Sequence, residues 1–404
     1  AEVSKERKAP PNPPDLAVLQ AIGGQWGWSA DKVLEAGQQL YSGHKVMTYV
    51  RAGTRYYPEV LIEAVPAILD VLRRVPSYAD SVPAAPVIRR GKSGAFSDAG
   101  LAGESHHALM PNPKADVLAA LPATLDRLSA DERRMFDAVV MLFLQALSPD
   151  YEGERAAYSA EAGRPFTATA SRAIVPGWRA IQLTTEDEPR PDGEGDQESA
   201  AFAAPGTYTV THAEAFTRRA SPPRRYNQGS LVAAMVGAWQ FVAEPERRAR
   251  LREAKGIGTT ATRADVIAGL LDQAQLIENA AKLAPSKAGM ELFAVLHRID
   301  PQLVDPGTTA DWESQIDEIA KGELEPARFL DRIEAETRRL VDILRKQSAI
   351  PVFGAPAPPS AAQLKAVVAV AKATGQIPPA DYRTNAAVAA AFLDQYGAKR
   401  HARS

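Results

Sequence analysis

One change of apolar period, at Pro149, constrains this chain more than any other feature. Before it, apolar residues recur at helical spacing. Ser29 offers an N-cap to Val33, Ala36, Gly37, Leu40 and Tyr41; residues 58–74 carry Val60, Leu61, Ala64, Val65, Ile68, Leu69 and Leu72. Pro66 should kink or split that second stretch. Ser129-Ala130-Asp131-Glu132 has the form of a capping box ahead of Phe136, Val139, Val140, Phe143 and Leu147. After Pro149, the runs Phe166-Thr167-Ala168-Thr169-Ala170 and Tyr208-Thr209-Val210-Thr211 alternate as strands do. Helical spacing then returns through Val266, Ile267, Leu270 and Leu271. An apolar ribbon at Leu276-Ile277 and Leu283 follows, and then helices from Ser286, around Asp311-Trp312-Glu313 with Trp312 as core, and over 329–344. An α+β multidomain protein is required.

The implied divisions are a linker and strand end at 1–15, a helical domain at 16–127, a β-rich domain at 128–224, and a winged-helix-like domain at 225–346. A Pro-rich linker at 347–359 and a small helical appendix at 360–404 complete the chain. At 404 residues it is long enough for several cores, and 45% hydrophobic with 24% charged residues is an ordinary globular balance. It has no cysteine, so no disulfide or thiolate metal site, and its six histidines lack metal-ligand spacing. No apolar run reaches membrane-spanning length and no leader is apparent, so a cytoplasmic protein is expected. The chain opens at Ala1 without an initiator methionine, which reads as cropped or processed. The net charge of −2 is no nucleic-acid signature, but residues 186–198 hold seven carboxylates against one arginine, leaving the remainder more basic.

Two stretches carry chemistry: Thr48-Tyr49-Val50-Arg51 and Ser105-His106-His107-Ala108-Leu109-Met110-Pro111. A tyrosine can attack a phosphodiester, yet its phenol, with an unperturbed pKa of about 10, is a weak nucleophile unless positive charge is near. On an extended segment Arg51 would share a face with Tyr49. Alone, such a pair is ordinary surface chemistry. Arg89, Arg90 and Lys92 fit either a phosphate path or a solvated loop. Gly256-Ile257-Gly258-Thr259-Thr260-Ala261-Thr262-Arg263-Ala264 reads as a turn exposing hydroxyls and N–H groups. No strand precedes it and no G-K-[ST] follows, so it is no nucleotide loop.

Together these stretches resemble the type IA DNA topoisomerases, most closely the topoisomerase III branch, whose segments read T-Y-P-R-T-D-S, H-H-A-I-I-P-T and G-I/L-G-T-P-A-T-R-A. Further collinear matches lie at Leu16 to Gln20, Gln38, Gly177-Trp178-Arg179, Pro222 to Leu231, Asp311-Trp312-Glu313 and Ser360 to Leu364. Departures are Val50 for proline, Ala52-Gly53-Thr54 for T-D-S, and Asn227-Gln228-Gly229 for T-E-A. The resemblance implies part of a toroid, with winged-helix and CAP-like helical domains and 128–224 as its β-rich arch. It implies Tyr49 as nucleophile, Arg51 as phosphate-binding cation and His106 as active-site histidine. DNA contacts would be Gln38, Thr48, Arg55, His107, Arg225, Ser230, Gly258, Thr259, Thr262 and Arg263, with the basic end at 399–403 adding nonspecific affinity.

The implied activity is ATP-independent cleavage of single-stranded DNA through a 5′-phosphotyrosine, strand passage and religation, on supercoiled or catenated DNA in the nucleoid. Mg²⁺ belongs to such chemistry, on ligands of a preceding domain that this sequence does not contain. The expectation is therefore that this chain binds single strands but cleaves poorly alone, another domain or chain supplying the metal site. A noncatalytic single-stranded-DNA binder is the alternative; a winged-helix regulator of duplex DNA ranks below both.

Overall fold

Ser29 and Ser129 begin helices as their positions require. The computed structural model describes residues 2–182, 197–198, 202–211, 214–215, 217, 222–346, 359–379, 382–383 and 386–397. Residues 186–196 of the acidic stretch, 347–358 of the linker and the basic end at 399–403 lie outside the described residues. The chain divides into two compact units, residues 1–285 with 306–317, and residues 286–305 with 318–404.

In the first unit, α1 (Leu16–Gln25) is capped by Asp15, whose carboxylate accepts the Val18 N–H, and α2 (Ala30–Gln38) by Ser29. A π-helical turn, Gln39–Gly43, continues α2. Pro66 does split its stretch: a 3-10 turn, Glu59–Ala64, precedes α3 (Val65–Arg73), with the proline in the first turn, where its missing N–H costs nothing. Next come α4 (Pro76–Ala79), α5 (Ala115–Leu125) and α6 (Ala130–Ala146), the last opened by the Ser129–Glu132 capping box. The buried side chains of all these helices share one core, centred on Leu19, Leu40, Tyr57, Leu72, Phe96, Phe136 and Phe143. Helix α6 thus shares the core of the tyrosine-bearing helices, and its end also meets the β-rich segment, where Gln145 donates to the Ile181 carbonyl (2.7 Å). Its buried residues Met135, Phe136, Ala138, Val139, Val140, Leu142 and Phe143 run round more than one stripe, as in a helix at a core's centre.

The sheet runs β1-β2-β3-β4, with β1 (Glu2–Lys8), β2 (Tyr151–Glu161), β3 (Pro165–Val175) and β4 (Gln197–Glu198). Antiparallel pairing sets Lys8 against Tyr151 and Glu161 against Pro165, while β4 lies parallel to β3. Asp150 ties the base of the sheet together, its carboxylate accepting from Arg7 (2.8 Å) and Arg89 (2.6 Å). Arg89 is thereby spent inside the protein and not on a phosphate path. Residues 208–211, expected as a strand, form none: Tyr208 and Val210 are exposed, and no edge among the described residues pairs with them. Alternation without a partner edge does not make a strand.

Helices α7 (Gln228–Val236), α8 (Pro245–Glu253) and α9 (Arg263–Asp272) lead into the hairpin β5 (Leu276–Asn279) and β6 (Lys282–Pro285). Ala30, Val232, Met235, Ala264 and Ile267 form a second core that joins α7 and α9 to α2. The chain leaves this unit for α10 (Lys287–Ile299) and returns in α11 (Gly307–Ala320), where Ala310 packs on Ala238, Val242 and Leu251. Trp312, expected in the core, is half exposed: two residues beyond Ala310, it points about 200° away round the helix.

The second unit holds α10, α12 (Pro326–Lys346), α13 (Ala361–Thr374) and α14 (Ala386–Gly397). Arg339 pairs with Asp300, and Val367, Val370, Ala389 and Phe392 give the last two helices a core of their own. Among the described residues no helix is long and apolar enough to cross a membrane.

Candidate active site and nucleic-acid-facing loops

The two chemistry-bearing stretches are zipped together by backbone. Met47 bridges Pro111 antiparallel, the Thr48 N–H donates to the Met110 carbonyl (3.1 Å), and the Asn112 N–H donates to the Val46 carbonyl (2.8 Å). Thr48 also accepts the Met110 N–H on its hydroxyl (3.1 Å), so that group serves the ladder and is not free for a phosphate. Val50 is fully buried, and a methyl on Gly37 would lie 2.4 Å from its Cγ2, so the bare glycine is what lets the loop seat on α2. The backbone turns at Val50-Arg51, which rules out the extended face-sharing that a strand would give.

Tyr49 stays half-buried between two rings. Tyr41, carried by the π turn, meets it edge-on at 5.1 Å, and His106 lies against it at 4.2 Å. A π turn inserts one residue into the helical repeat, and such turns concentrate at functional sites. His106 and Arg51 are exposed, and among the described residues Arg51 has no hydrogen-bond or ion-pair partner. The histidines diverge: His107 turns inward, its edge towards Tyr57, its Nδ1–H donating to the Ala108 carbonyl (2.8 Å). Burial pushes its pKa down despite that bond, which favours the neutral imidazole. Gln38 donates to the Ser42 hydroxyl one turn on (3.3 Å).

In the second loop, Gly256 and Gly258 adopt φ of +82° and +68°. The Thr259 N–H donates to Thr262 Oγ1 (2.9 Å), and both threonines are exposed. Arg263 is different. It is 5% exposed and donates to the carbonyls of Ile257 (3.0 Å), Lys255 (2.7 Å) and Gly258 (2.9 Å), so it shapes the loop from inside. Arg55 likewise donates to the carbonyls of Pro13 (3.1 Å) and Asn12 (2.7 Å). These loops enclose a cavity of about 690 Å³ lined in part by Asp15, Thr54, Glu104, Arg252, Lys255 and Thr259. Burial pushes the Asp15 carboxyl above its ordinary range, against the pull of Arg55 and Arg263. Glu104 and Lys255 carry no local sequence signal, yet they form an ion pair across 151 positions of chain.

Ser230, expected on DNA, is spent in a capping box: its hydroxyl accepts the Asn227 N–H (2.8 Å) while Asn227 Oδ1 accepts its N–H (2.7 Å). The neighbouring departures fit one another. Asn227 donates to the Gly24 carbonyl (2.8 Å), Gln228 accepts the Ala30 N–H (3.1 Å) and donates to Glu278 (3.0 Å), and Gly229 lets α7 close on α1. Arg225 is exposed and lines a second cavity, about 880 Å³, with Trp26, Arg224 and Lys282. None of these three cations pairs with a carboxylate among the described residues.

Among the described residues no three His, Asp or Glu side chains are grouped to hold a metal ion. Mg²⁺ requires several oxygen ligands in near-octahedral array, and Glu104, beside the tyrosine loop, is already paired with Lys255. The described residues do not fit the ion.

Residues 1–331 match the family model described as DNA topoisomerase. Relatives include DNA topoisomerase 3 of Bacillus subtilis, 30% identical over 343 residues, spanning 83% of this chain and 45% of that protein. DNA topoisomerase 3 of Vibrio cholerae is 27% identical over 394 residues, spanning 95% of this chain and 56% of the relative. The fold is similar to that of full-length topoisomerase I from Thermotoga maritima, with a TM-score of 0.56 and 19% identity over 86% of this chain and 52% of that one. The chain spans about half the length of the relatives it matches. With the family model covering 331 of 404 residues, and the tyrosine, histidine and glycine-loop stretches in the same order, the chain belongs to the type IA DNA topoisomerase family and is topoisomerase III-like.

Proposed function

We propose that Tyr49 cleaves single-stranded DNA and holds the 5′ end of the break. The phenol oxygen bonds to phosphorus, the P–O3′ bond breaks, and the 3′ oxygen leaves with a proton. The phenol proton passes to His106 or to water, and Arg51 binds the non-bridging oxygens as charge builds on them. Reversal re-forms the strand without ATP, because the phosphotyrosine ester conserves the energy of the broken bond. The observation that carries this reading is the Tyr49–His106 ring contact at 4.2 Å, with Arg51, two residues on, exposed and without a partner among the described residues. Single strands within supercoiled or catenated DNA of the nucleoid are the proposed substrate, with Mg²⁺ acting from ligands beyond the described residues.

The test uses an oligonucleotide labelled at its 3′ end, incubated with Mg²⁺ and stopped with detergent. A labelled protein band that Tyr49→Phe abolishes is expected. Absence of the band with tight oligonucleotide binding intact would replace this reading with that of a noncatalytic binder.

The cations Arg224, Arg225 and Lys282 should contribute affinity and not chemistry. Replacing all three by alanine should flatten the slope of log K against log salt by about 2, at roughly 0.7 per lost phosphate contact on a single strand. Binding titrations from 50 to 200 mM salt would read this; an unchanged slope would show that no phosphate lies there.

A further inference from the structure

In the T-Y-P-R-T-D-S segment that the tyrosine stretch resembles, aspartate stands where this chain has Gly53, two residues past the arginine, so this chain lacks that carboxylate. The space is not left without charge. A methyl placed on Gly53 would lie 3.2 Å from Oε2 of Glu104, which reaches the position from the segment leading into His106. Lys255, at the start of the glycine loop, pairs with Glu104 and also donates to the Gly53 carbonyl (2.9 Å). Its backbone lies in the left-handed region, at φ +59°, and its carbonyl accepts from Arg263 (2.7 Å). A non-glycine residue is held there only when its surroundings over-determine it. The Glu104 side chain is 22% exposed and that of Lys255 49%, so the pair is accessible but not free in solvent.

We infer that Glu104 stands in for the missing aspartate: with Lys255 it is a positioning residue, fixing the loop that bears Tyr49 and Arg51 against the His106 segment. The inference rests on the proposed role of Tyr49 for its consequence in catalysis, but its geometry is independent of that role.

Moving the carboxylate back is the test, in the full chain. Glu104→Ala should slow formation of the labelled protein band about 10-fold, since small displacements of a reacting group are costly. It should also speed hydrogen exchange at the amides of residues 52–56. Gly53→Asp alone should be impaired too, because its Cβ would already lie 3.2 Å from Oε2 of Glu104 and two carboxylates would then share one ammonium. The double variant Glu104→Ala with Gly53→Asp should return both readouts to within about 3-fold of the parent, a non-additivity that loss of packing would not produce. Losses that multiply in the double variant, or exchange at 52–56 untouched by Glu104→Ala, would overturn the inference. If the parent forms no labelled band, the cleavage reading fails, and the exchange pattern alone decides the matter: rescue supports the positioning role and additive loosening refutes it.

Discussion

Replacing Arg263 by methionine should destabilise the first unit by about 4 kcal/mol, since three part-buried carbonyls lose charge-assisted partners at once. At the usual entropy of a large domain, that lowers the thermal midpoint by roughly 10 °C. The guanidinium is 5% exposed and forks onto Ile257, Lys255 and Gly258, so the loop between the glycines has no other internal support of this kind. Arg263→Lys should recover only part, because an ammonium cannot span three acceptors in the plane of the fork. Differential scanning calorimetry distinguishes this from a DNA contact. A phosphate-binding arginine would leave the midpoint in place and flatten the salt slope by about 0.7 instead.

Gly229→Ala should be nearly as damaging, about 3 kcal/mol. The added methyl would lie 2.0 Å from the Gln20 carbonyl oxygen and 2.9 Å from the Ala21 Cα, both of them backbone, so α1 and α7 must separate. Overpacking accounts for about 1–3 kcal/mol, and parting the helices also weakens the Asn227–Gly24 and Gln228–Ala30 hydrogen bonds, each about 1 kcal/mol. Gly269→Ala is the control: on α9 nothing lies within 4 Å of the new methyl, and alanine should stabilise the helix by up to about 1 kcal/mol. Urea titrations of the two variants should shift the midpoint in opposite directions. A neutral Gly229→Ala would mean the helices do not meet as closely as described.

Motif order and helix punctuation were legible in the sequence because each is local. Ser29, Ser129 and Pro66 followed from residues read a few at a time, whereas the antiparallel meeting of the tyrosine and histidine stretches came only with the fold. What the motifs hid was which polar groups are spent inside the protein. Thr48, Ser230, Arg55 and Arg263 sit where the resemblance puts DNA contacts, yet each has its polar atoms committed to neighbouring backbone. A motif records that a residue type is needed without saying which way its hydrogen bonds point. The Glu104–Lys255 pair was invisible for a different reason: 151 residues of chain separate the partners, and only the fold brings them together.

The return of the chain at residue 306 bears on how the protein is made. Residues 286–305 leave the first unit before residues 306–317 rejoin it. During synthesis, therefore, Ala238, Val242 and Leu251 emerge well before Ala310, which closes their cluster, and Arg247 and Arg250 wait for Asp311 and Asp317. A nascent chain holds that apolar seam open while the intervening residues are translated, a delay of several seconds at about 5–20 residues per second. During this interval the seam is exposed to chaperones and to other nascent chains, and slow codons at 286–305 would lengthen it.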